Sequence, residues 1–224
     1  FCAVIFAATI SVQSDLDAAE GGDAWWERGP PAVTDRAIAA VLSAEPIALG
    51  APVGDRRSWE AFARTPAGEA AVRSATALLS TPLPEGTDEV YLALQRDYSP
   101  ENRQRWDQLG QARRDRVVAL TLAECIEQRG RFLPAIEATM RSLCAERAWV
   151  FPGYDRELKD YHGTQITIDL FSSAVGWNLA TADRLLGERL APDLRRQVRH
   201  ELQRRIFVPF RRMIAGEQPA HWLK

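Results

Sequence analysis

The sequence has few of the residues that build disulfide frameworks and metal sites. Only 3 cysteines and 3 histidines occur in 224 residues, and their spacing matches no zinc-binding pattern. Cys125 and Cys144 fall within predicted helices, where either a disulfide between antiparallel neighbours or two reduced core thiols would fit. Reduced thiols are the simpler interpretation, because a buried free cysteine packs as a small hydrophobic residue. We expect no bound metal and no cofactor.

The chain also lacks a strong excess of charge. Its formal net charge is -2, so a site for a polyanion could come only from local clustering of basic side chains. We expect neither nucleic acid nor a membrane surface as a partner. Gly-rich phosphate loops, Gly-x-Ser-x-Gly elbows and His-Glu-x-x-His helices are missing as well. Enzyme classes with strong local signatures are therefore excluded.

The apolar run at the N terminus, residues 1–10, is too short to span a bilayer but has the length of the core of a secretory signal. A buried first strand or helix is the alternative interpretation. We favour export, with residues 1–20 as a signal remnant and linker and a periplasmic or secreted location. The chain begins with Phe1 and ends with Lys224 without signals of its own, so we expect residues 21–224 to be the N-terminal part of a longer domain.

Apolar residues recur at helical spacing along most of the chain, with no strand–helix–strand alternation. The predicted fold is all-α, built from helical hairpins, one of which turns at Gly130. Only Glu89–Leu94 is predicted to be extended, and a break is expected near Gly110. Val118, Leu122 and Cys125 are predicted to form the core face of the helix around them. Predicted helices cover 34–42, a short segment from Ser58, 66–80, 99–130, a segment from Phe132, 168–186 and 192–216.

A polar loop followed by an apolar helix occupies residues 149–187. Helical spacing from Ile168 to Leu186 fills one face, while Leu170 and Trp177 contribute to another, so we expect neighbours on two sides. Gly187 predicts the end of this helix. Among the aspartates of this region, Asp169 is predicted to lie near a helix N-terminus, and Asp155 to pair with an arginine or, with Asp169, to serve a glycosidase. His162 could titrate near neutral pH or be a hydrogen-bonded structural residue.

The last predicted helix carries 7 arginines within 18 residues, opposed there only by Glu201. Pro209 is expected to kink it. One interpretation is a solvated or salt-bridged outer face, which is the usual role of charge runs on helices. The other is a groove for an acidic ligand. The arginines are Arg195, Arg196, Arg199, Arg204, Arg205, Arg211 and Arg212.

A set of short segments in the second part of the chain has a distinctive order and spacing. The segments are 122–125, 130–137, 149–152, Asp155, 162–163, 168–173, 180–187, 201–202 and 204–207. Together they resemble the N-terminal half of heparinase II/III-like polysaccharide lyases, over roughly residues 80–224, although none of them is diagnostic alone. One departure is Tyr154, where many relatives have histidine before the aspartate.

The resemblance implies an α/α toroid of which this chain is an incomplete part. It also implies β-elimination on an acidic, uronic-acid-containing polysaccharide, for which the uronate carboxylate must be neutralised and a Tyr or His must move protons. The family's Asn, Tyr and His for these steps are expected beyond Lys224, so no catalytic residue is assigned here. The predicted substrate-binding residues, on one concave surface, are Trp149, Tyr154, Asp155, Tyr161, His162 and Trp222.

Two other functions remain as alternatives at the level of the sequence. A non-catalytic carbohydrate-binding or scaffold toroid would use the same aromatic residues for stacking without any reaction. A toroidal glycosidase would need Asp155 and Asp169 to face one cavity, about 5 to 10 Å apart. We expect the lyase, in which this part of the chain forms a wall of the substrate cleft.

Overall fold

Helices make up all the regular secondary structure of residues 50–217, the part of the chain that the computed structural model describes. The all-α prediction is therefore confirmed for these residues. Short 3₁₀ turns occur at Pro152–Tyr154 and Gly187–Arg189, and a π-helical segment covers Gln203–Phe207. The α-helices are α1 (Arg56–Ala63), α2 (Pro66–Leu79), α3 (Thr87–Arg96), α4 (Pro100–Glu127), α5 (Leu133–Ala145), α6 (Leu170–Leu186), α7 (Pro192–Leu202) and α8 (Val208–Ile214).

Helix α4 is the element around which the others pack. Helices α1, α2, α3, α5 and α6 all contact it, and α7 packs on α5 and α6. The buried face of α4 changes along its length, because Trp106 near its start joins a cluster under α3 whereas Val117 and Leu120 join the main core. A helix enclosed in this way holds its neighbours in fixed positions.

Local capping signals placed several helix ends correctly. The Thr65 hydroxyl caps α2, the Ser99 hydroxyl caps α4, and Asp169 forms a reciprocal capping box with Ser172 at the start of α6. The predicted hairpin between α4 and α5 turns at Gly130, whose φ is 81°. The buried carboxylate of Glu124 accepts a hydrogen bond from the Gly130 N–H at 2.8 Å, a contact that no local pattern in the sequence indicates.

Four predictions about these helices were wrong. Glu89–Leu94 was predicted to be extended but lies within α3. The prediction failed because apolar spacing over so short a segment does not distinguish a helix from a strand. Helix α4 continues through Gly110, since an internal glycine costs a long, well-packed helix only about 1 kcal/mol. Val118 is exposed, and Val117 takes the core position instead. Helix α1 is capped by Asp55 rather than opened at Ser58.

Helix α6 is less enclosed than its composition indicated. Val175 and Leu179 are buried, but Phe171 is only half-buried, and 87% of Leu170 and 57% of Trp177 are exposed. Helices α4 and α7 do pack on two sides of α6, as predicted, but they leave Leu170 and Trp177 of its second face uncovered. The expected irregularity near Pro209 occurs as the π-helical segment just before it, where the helical hydrogen-bond pattern changes.

The described residues fall in one unit of the chain, Ala48–Lys224. None of their helices is both long enough and apolar enough to cross a membrane. Cys125 and Cys144 are buried free thiols, which confirms the simpler interpretation of these cysteines. The predicted signal remnant, the helix at 34–42 and Trp222 lie outside the described residues.

Candidate functional site

Three buried aspartates fix the loop between α5 and α6. Only 3% of Asp155, 6% of Asp160 and 9% of Asp169 is exposed. Asp160 accepts a hydrogen bond from the Thr167 hydroxyl at 2.8 Å, and Asp169 accepts one from the Phe151 N–H at 2.8 Å. Carboxylates that accept several backbone and hydroxyl donors order irregular backbone, because each bond satisfies a group that would otherwise be buried unpaired.

Asp155 is the central hydrogen-bond acceptor of this loop. It accepts hydrogen bonds from the Tyr91 hydroxyl at 2.8 Å, the Asp160 N–H at 3.0 Å and the Tyr161 N–H at 2.8 Å. Burial, together with this bond to Asp155, raises the pKa of Tyr91. The predicted arginine partner of Asp155 was wrong. With Asp155 and Asp169 both engaged by buried donors, the glycosidase hypothesis gains no support from the geometry.

Tyr161 and His162 lie next to this acceptor. The Tyr161 ring stacks on Tyr91 with centroids 5.4 Å apart, and the exposed His162 packs edge-on against Tyr161 at 5.4 Å. The Arg147 guanidinium lies 5.1 Å from the Tyr161 ring centroid. The structure thus brings Asp155, Tyr161 and His162 together, as the sequence predicted for three of the six site residues.

The other predicted site residues are placed differently. Trp149 is in the core, where only 4% of it is exposed and its Nε1 donates to the Leu143 carbonyl at 2.8 Å. Its ring also lies under the Arg205 guanidinium, at 4.8 Å. Tyr154 is at the surface with 68% exposed, and it contacts the Phe151 ring. Trp149 and Asp155 are both buried, so neither borders the expected single surface, and the assignment of the six residues to substrate binding stays a prediction.

An open cleft of about 690 Å³ lies between the end of this loop and the arginine-rich helices. The loop side is formed by backbone and polar side chains around Gly163, whose φ of 71° lets the chain turn there. We name this feature the basic cleft. Its lining residues are Gly163, Thr164, Gln165, Ile166, His200, Gln203, Arg204, Val208, Pro209 and Arg212.

Several arginines of α7 and of the π-helical segment after it are held in ion pairs with acidic side chains. Arg195 and Arg199 both contact Asp183, at 2.7 and 2.9 Å. Arg205 is buried and donates to Glu201 at 2.6 Å and to the Arg147 carbonyl at 3.1 Å. These ion pairs support the interpretation of a salt-bridged face for part of the run.

Arg204 and Arg212 are the arginines that reach the basic cleft. Arg204 is oriented by Glu201, whose carboxylate is 2.6 Å from its Nη2. Burial raises the pKa of Glu201, but hydrogen bonds from Arg204 and Arg205 outweigh burial and hold the pKa below its usual range. Arg212 has no ion-pair partner within residues 50–217. The cleft therefore contains one positioned guanidinium and one that is available to an anionic ligand.

Glu146 is a buried acid that the sequence did not single out. It pairs with Arg113 at 2.9 Å, and burial raises the pKa of its carboxyl to about 7. It also lines a small cavity of about 20 Å³ together with Trp106 and Arg114. Such a cavity holds about one water molecule, so this pair is structural rather than a site for a larger ligand.

No protein-family model matches the chain, and no curated protein is significantly similar to it.

Proposed function

We propose that this chain forms helices of an α/α toroid in a polysaccharide lyase similar to the heparinase II/III-like enzymes, and that it binds uronic-acid-containing polysaccharides. The support is the resemblance of the sequence segments, the succession of helices that pack on one another and, above all, the basic cleft. The cleft carries the proposal because it combines Arg212, which has no ion-pair partner among the described residues, with hydrogen-bonding groups at the end of a rigidly held loop.

The chemistry of the basic cleft suits a uronate polymer. Each uronate residue carries one carboxylate, which the planar fork of an arginine such as Arg212 binds through two parallel hydrogen bonds. Sugar hydroxyls need neutral donors and acceptors, which Gln165 and Gln203 supply among the lining residues. A volume of about 690 Å³ lies within the usual range for small-ligand sites, about 300 to 1,000 Å³.

The role proposed for this chain is to bind and orient the polymer while other groups perform the elimination. The basic cleft is lined by His200 but by no tyrosine, whereas the resemblance assigns the reaction to an Asn, a Tyr and a His outside this sequence. We therefore expect the 224-residue chain alone to produce no unsaturated sugar from any uronate polymer. The assay follows the ultraviolet absorbance of the unsaturated product, and clear turnover would refute this assignment of roles.

Binding by wild type and two arginine variants tests the proposal. Calorimetry should show that a uronate hexasaccharide binds more tightly than a neutral hexasaccharide, with an affinity that falls as salt rises. Arg212→Ala should weaken binding of the acidic sugar by about 10-fold or more, because it removes a charge-assisted hydrogen-bonding group. Arg196→Ala removes an exposed arginine of α7 that does not line the cleft, so it is the matched control. Equal affinity for the acidic and neutral sugars would contradict the proposal.

A non-catalytic carbohydrate-binding or scaffold protein with the same fold is the second candidate. It needs binding alone, and among the lining residues that the structure describes only His200 could act as a base, so the described cleft accounts for binding without a complete set of proton-transfer groups. Lyase activity of a longer protein that contains this chain distinguishes the two. Turnover by the longer protein supports the lyase, and binding without turnover supports the scaffold.

A further inference from the structure

Two exposed tyrosines from distant parts of the chain contact the same buried ring, that of Phe151, which we call the shared base. Tyr98, just before α4, is 63% exposed, and Tyr154, in the 3₁₀ turn, is 68% exposed. Both contact the buried ring of Phe151 edge-on, with centroid distances of 6.1 Å for Tyr98 and 5.5 Å for Tyr154. Exposure of a single tyrosine is ordinary, but two held against the same ring form a defined aromatic surface.

The base under these rings is rigid. Phe151 is only 4% exposed and stacks on Phe171, with centroids 5.3 Å apart. The Phe151 N–H donates to Asp169 at 2.8 Å. The guanidinium of Arg103, a residue of α4, lies 4.3 Å from the centroid of the Phe151 ring. A side chain fixed by stacking and a backbone fixed by a buried carboxylate leave little freedom for Tyr98 and Tyr154 to collapse into the core.

Gly153 allows the two segments to approach each other. A Cβ at this position would lie 2.5 Å from Cε1 of Phe151 and 3.2 Å from Cε2 of Tyr98. Glycine thus avoids a steric overlap with the rings of Phe151 and Tyr98 at the point where the 3₁₀ turn approaches both. The aromatic surface is a consequence of this close backbone approach, which no local pattern in the sequence indicates.

We propose that Tyr98 and Tyr154 form a sugar-stacking platform, a binding site for the polysaccharide additional to the basic cleft. Sugar rings have apolar faces that pack on aromatic rings and hydroxyl rims that need hydrogen bonds. The platform offers aromatic faces for the apolar sides of sugar rings. It also has hydrogen-bonding groups at its edge, where the Tyr98 hydroxyl accepts a hydrogen bond from Arg103 Nη1 at 3.3 Å. The class of ligand rests on the proposed function, whereas the existence of the platform does not.

A sugar chain fits this surface better than a protein partner does. Two rings on one base can cover one or two sugar rings, whereas a stable protein interface buries about 800 Å² on each partner. The Arg103 side chain lies beside the rings and is 36% exposed, so its outer N–H groups can donate hydrogen bonds to sugar hydroxyls, while Asp107 neutralises its charge. Arg103 is held in place by Asp107, 2.7 Å from its Nε.

The test compares oligosaccharides of increasing length on the full 224-residue chain. Tyr98→Ala and Tyr154→Ala should each weaken binding of long uronate oligosaccharides by roughly 3- to 10-fold, in line with the strength of aromatic contacts. Tyr98→Phe and Tyr154→Phe keep the ring and should bind within about 2-fold of wild type. Arg212→Ala, in the basic cleft, is the reference for loss of binding at the other site. In wild type, bound oligosaccharide should also slow chemical nitration of tyrosine at positions 98 and 154, which needs no variant.

Several results would overturn the platform, and they differ from those that would overturn the proposed function. Loss of binding in Arg212→Ala with unchanged binding in both alanine variants, and no protection from nitration, removes the platform but leaves the acidic-polysaccharide function. Sedimentation that shows a wild-type dimer dissolved by Tyr98→Ala assigns the rings to self-association instead. If wild type binds no uronate oligosaccharide of any length, the proposed function fails, and the platform fails with it as a polysaccharide site.

Discussion

Replacing Asp155 by alanine should destabilise the protein strongly, because this carboxylate organises the loop from its interior. The substitution removes the acceptor of three donors, namely the Tyr91 hydroxyl and the N–H groups of Asp160 and Tyr161. Tyr91 is 2% exposed and Asp160 is 6% exposed, so water cannot readily replace the carboxylate at those two donors. The Tyr161 N–H is partly accessible and can be rehydrated at lower cost.

The expected size follows from these donors. A buried donor left without an acceptor costs about 1 to 3 kcal/mol, so the two enclosed donors and the partly exposed one together should lower the free energy of unfolding by about 3 to 5 kcal/mol. For a domain of this size, 1 kcal/mol shifts the melting temperature by roughly 2 to 4 °C. The melting temperature should therefore fall by roughly 6 to 20 °C.

Calorimetric melting and urea unfolding of a small set of variants measure this effect. Tyr91→Phe removes one donor and leaves Asp155 with two, so it should cost only about 1 to 2 kcal/mol. The double variant should cost less than the sum of the single ones, since both remove the same bond. A melting temperature of Asp155→Ala within about 2 °C of wild type, together with lost oligosaccharide binding, would refute this reasoning and make Asp155 a ligand-binding residue.

Two further predictions concern Glu146 and Gly153. Burial raises the pKa of Glu146 from 4.5 to about 7, so its contribution to stability is full below pH 4.5 and is lost as pH rises through 7. Urea unfolding should therefore show that the free energy of unfolding of wild type falls by about 2 to 4 kcal/mol between pH 5 and pH 8 relative to that of Glu146→Gln. The exposed Glu60→Gln is the control. Parallel pH profiles of wild type and Glu146→Gln would contradict the raised pKa. Gly153→Ala should lower the free energy of unfolding by about 1 to 3 kcal/mol, because its Cβ overlaps Phe151. Gly54→Ala, with no atom within 4 Å of the added Cβ, should be neutral, and equal melting temperatures of the two variants would show that the turn adapts.

The sequence by itself determined that residues 50–217 are all-α, and it placed several helix ends. Helical spacing and caps are local signals, since a hydroxyl or carboxylate at an N-cap bonds to an N–H two or three residues later. The helix starts at Thr65, Ser99 and Asp169 could therefore be predicted without any knowledge of packing, and so could the hairpin turn at Gly130. Where the local signal was short, as in Glu89–Leu94, periodicity alone chose the wrong structure.

The tertiary structure decided which faces are buried and which residues meet. Val117 rather than Val118 is in the core, and Leu170 and Trp177 are exposed, because burial depends on which neighbours arrive rather than on the apolarity of the helix itself.

The candidate site residues are brought together over long separations in the chain. Tyr91 and Asp155 are 64 residues apart in sequence, and the basic cleft joins a loop at Gly163 to Arg212. Tyr98 likewise joins Tyr154 only because both pack on Phe151. Contacts between distant segments follow from how whole helices pack on α4, and a one-dimensional pattern of residues contains no direct signal of that packing.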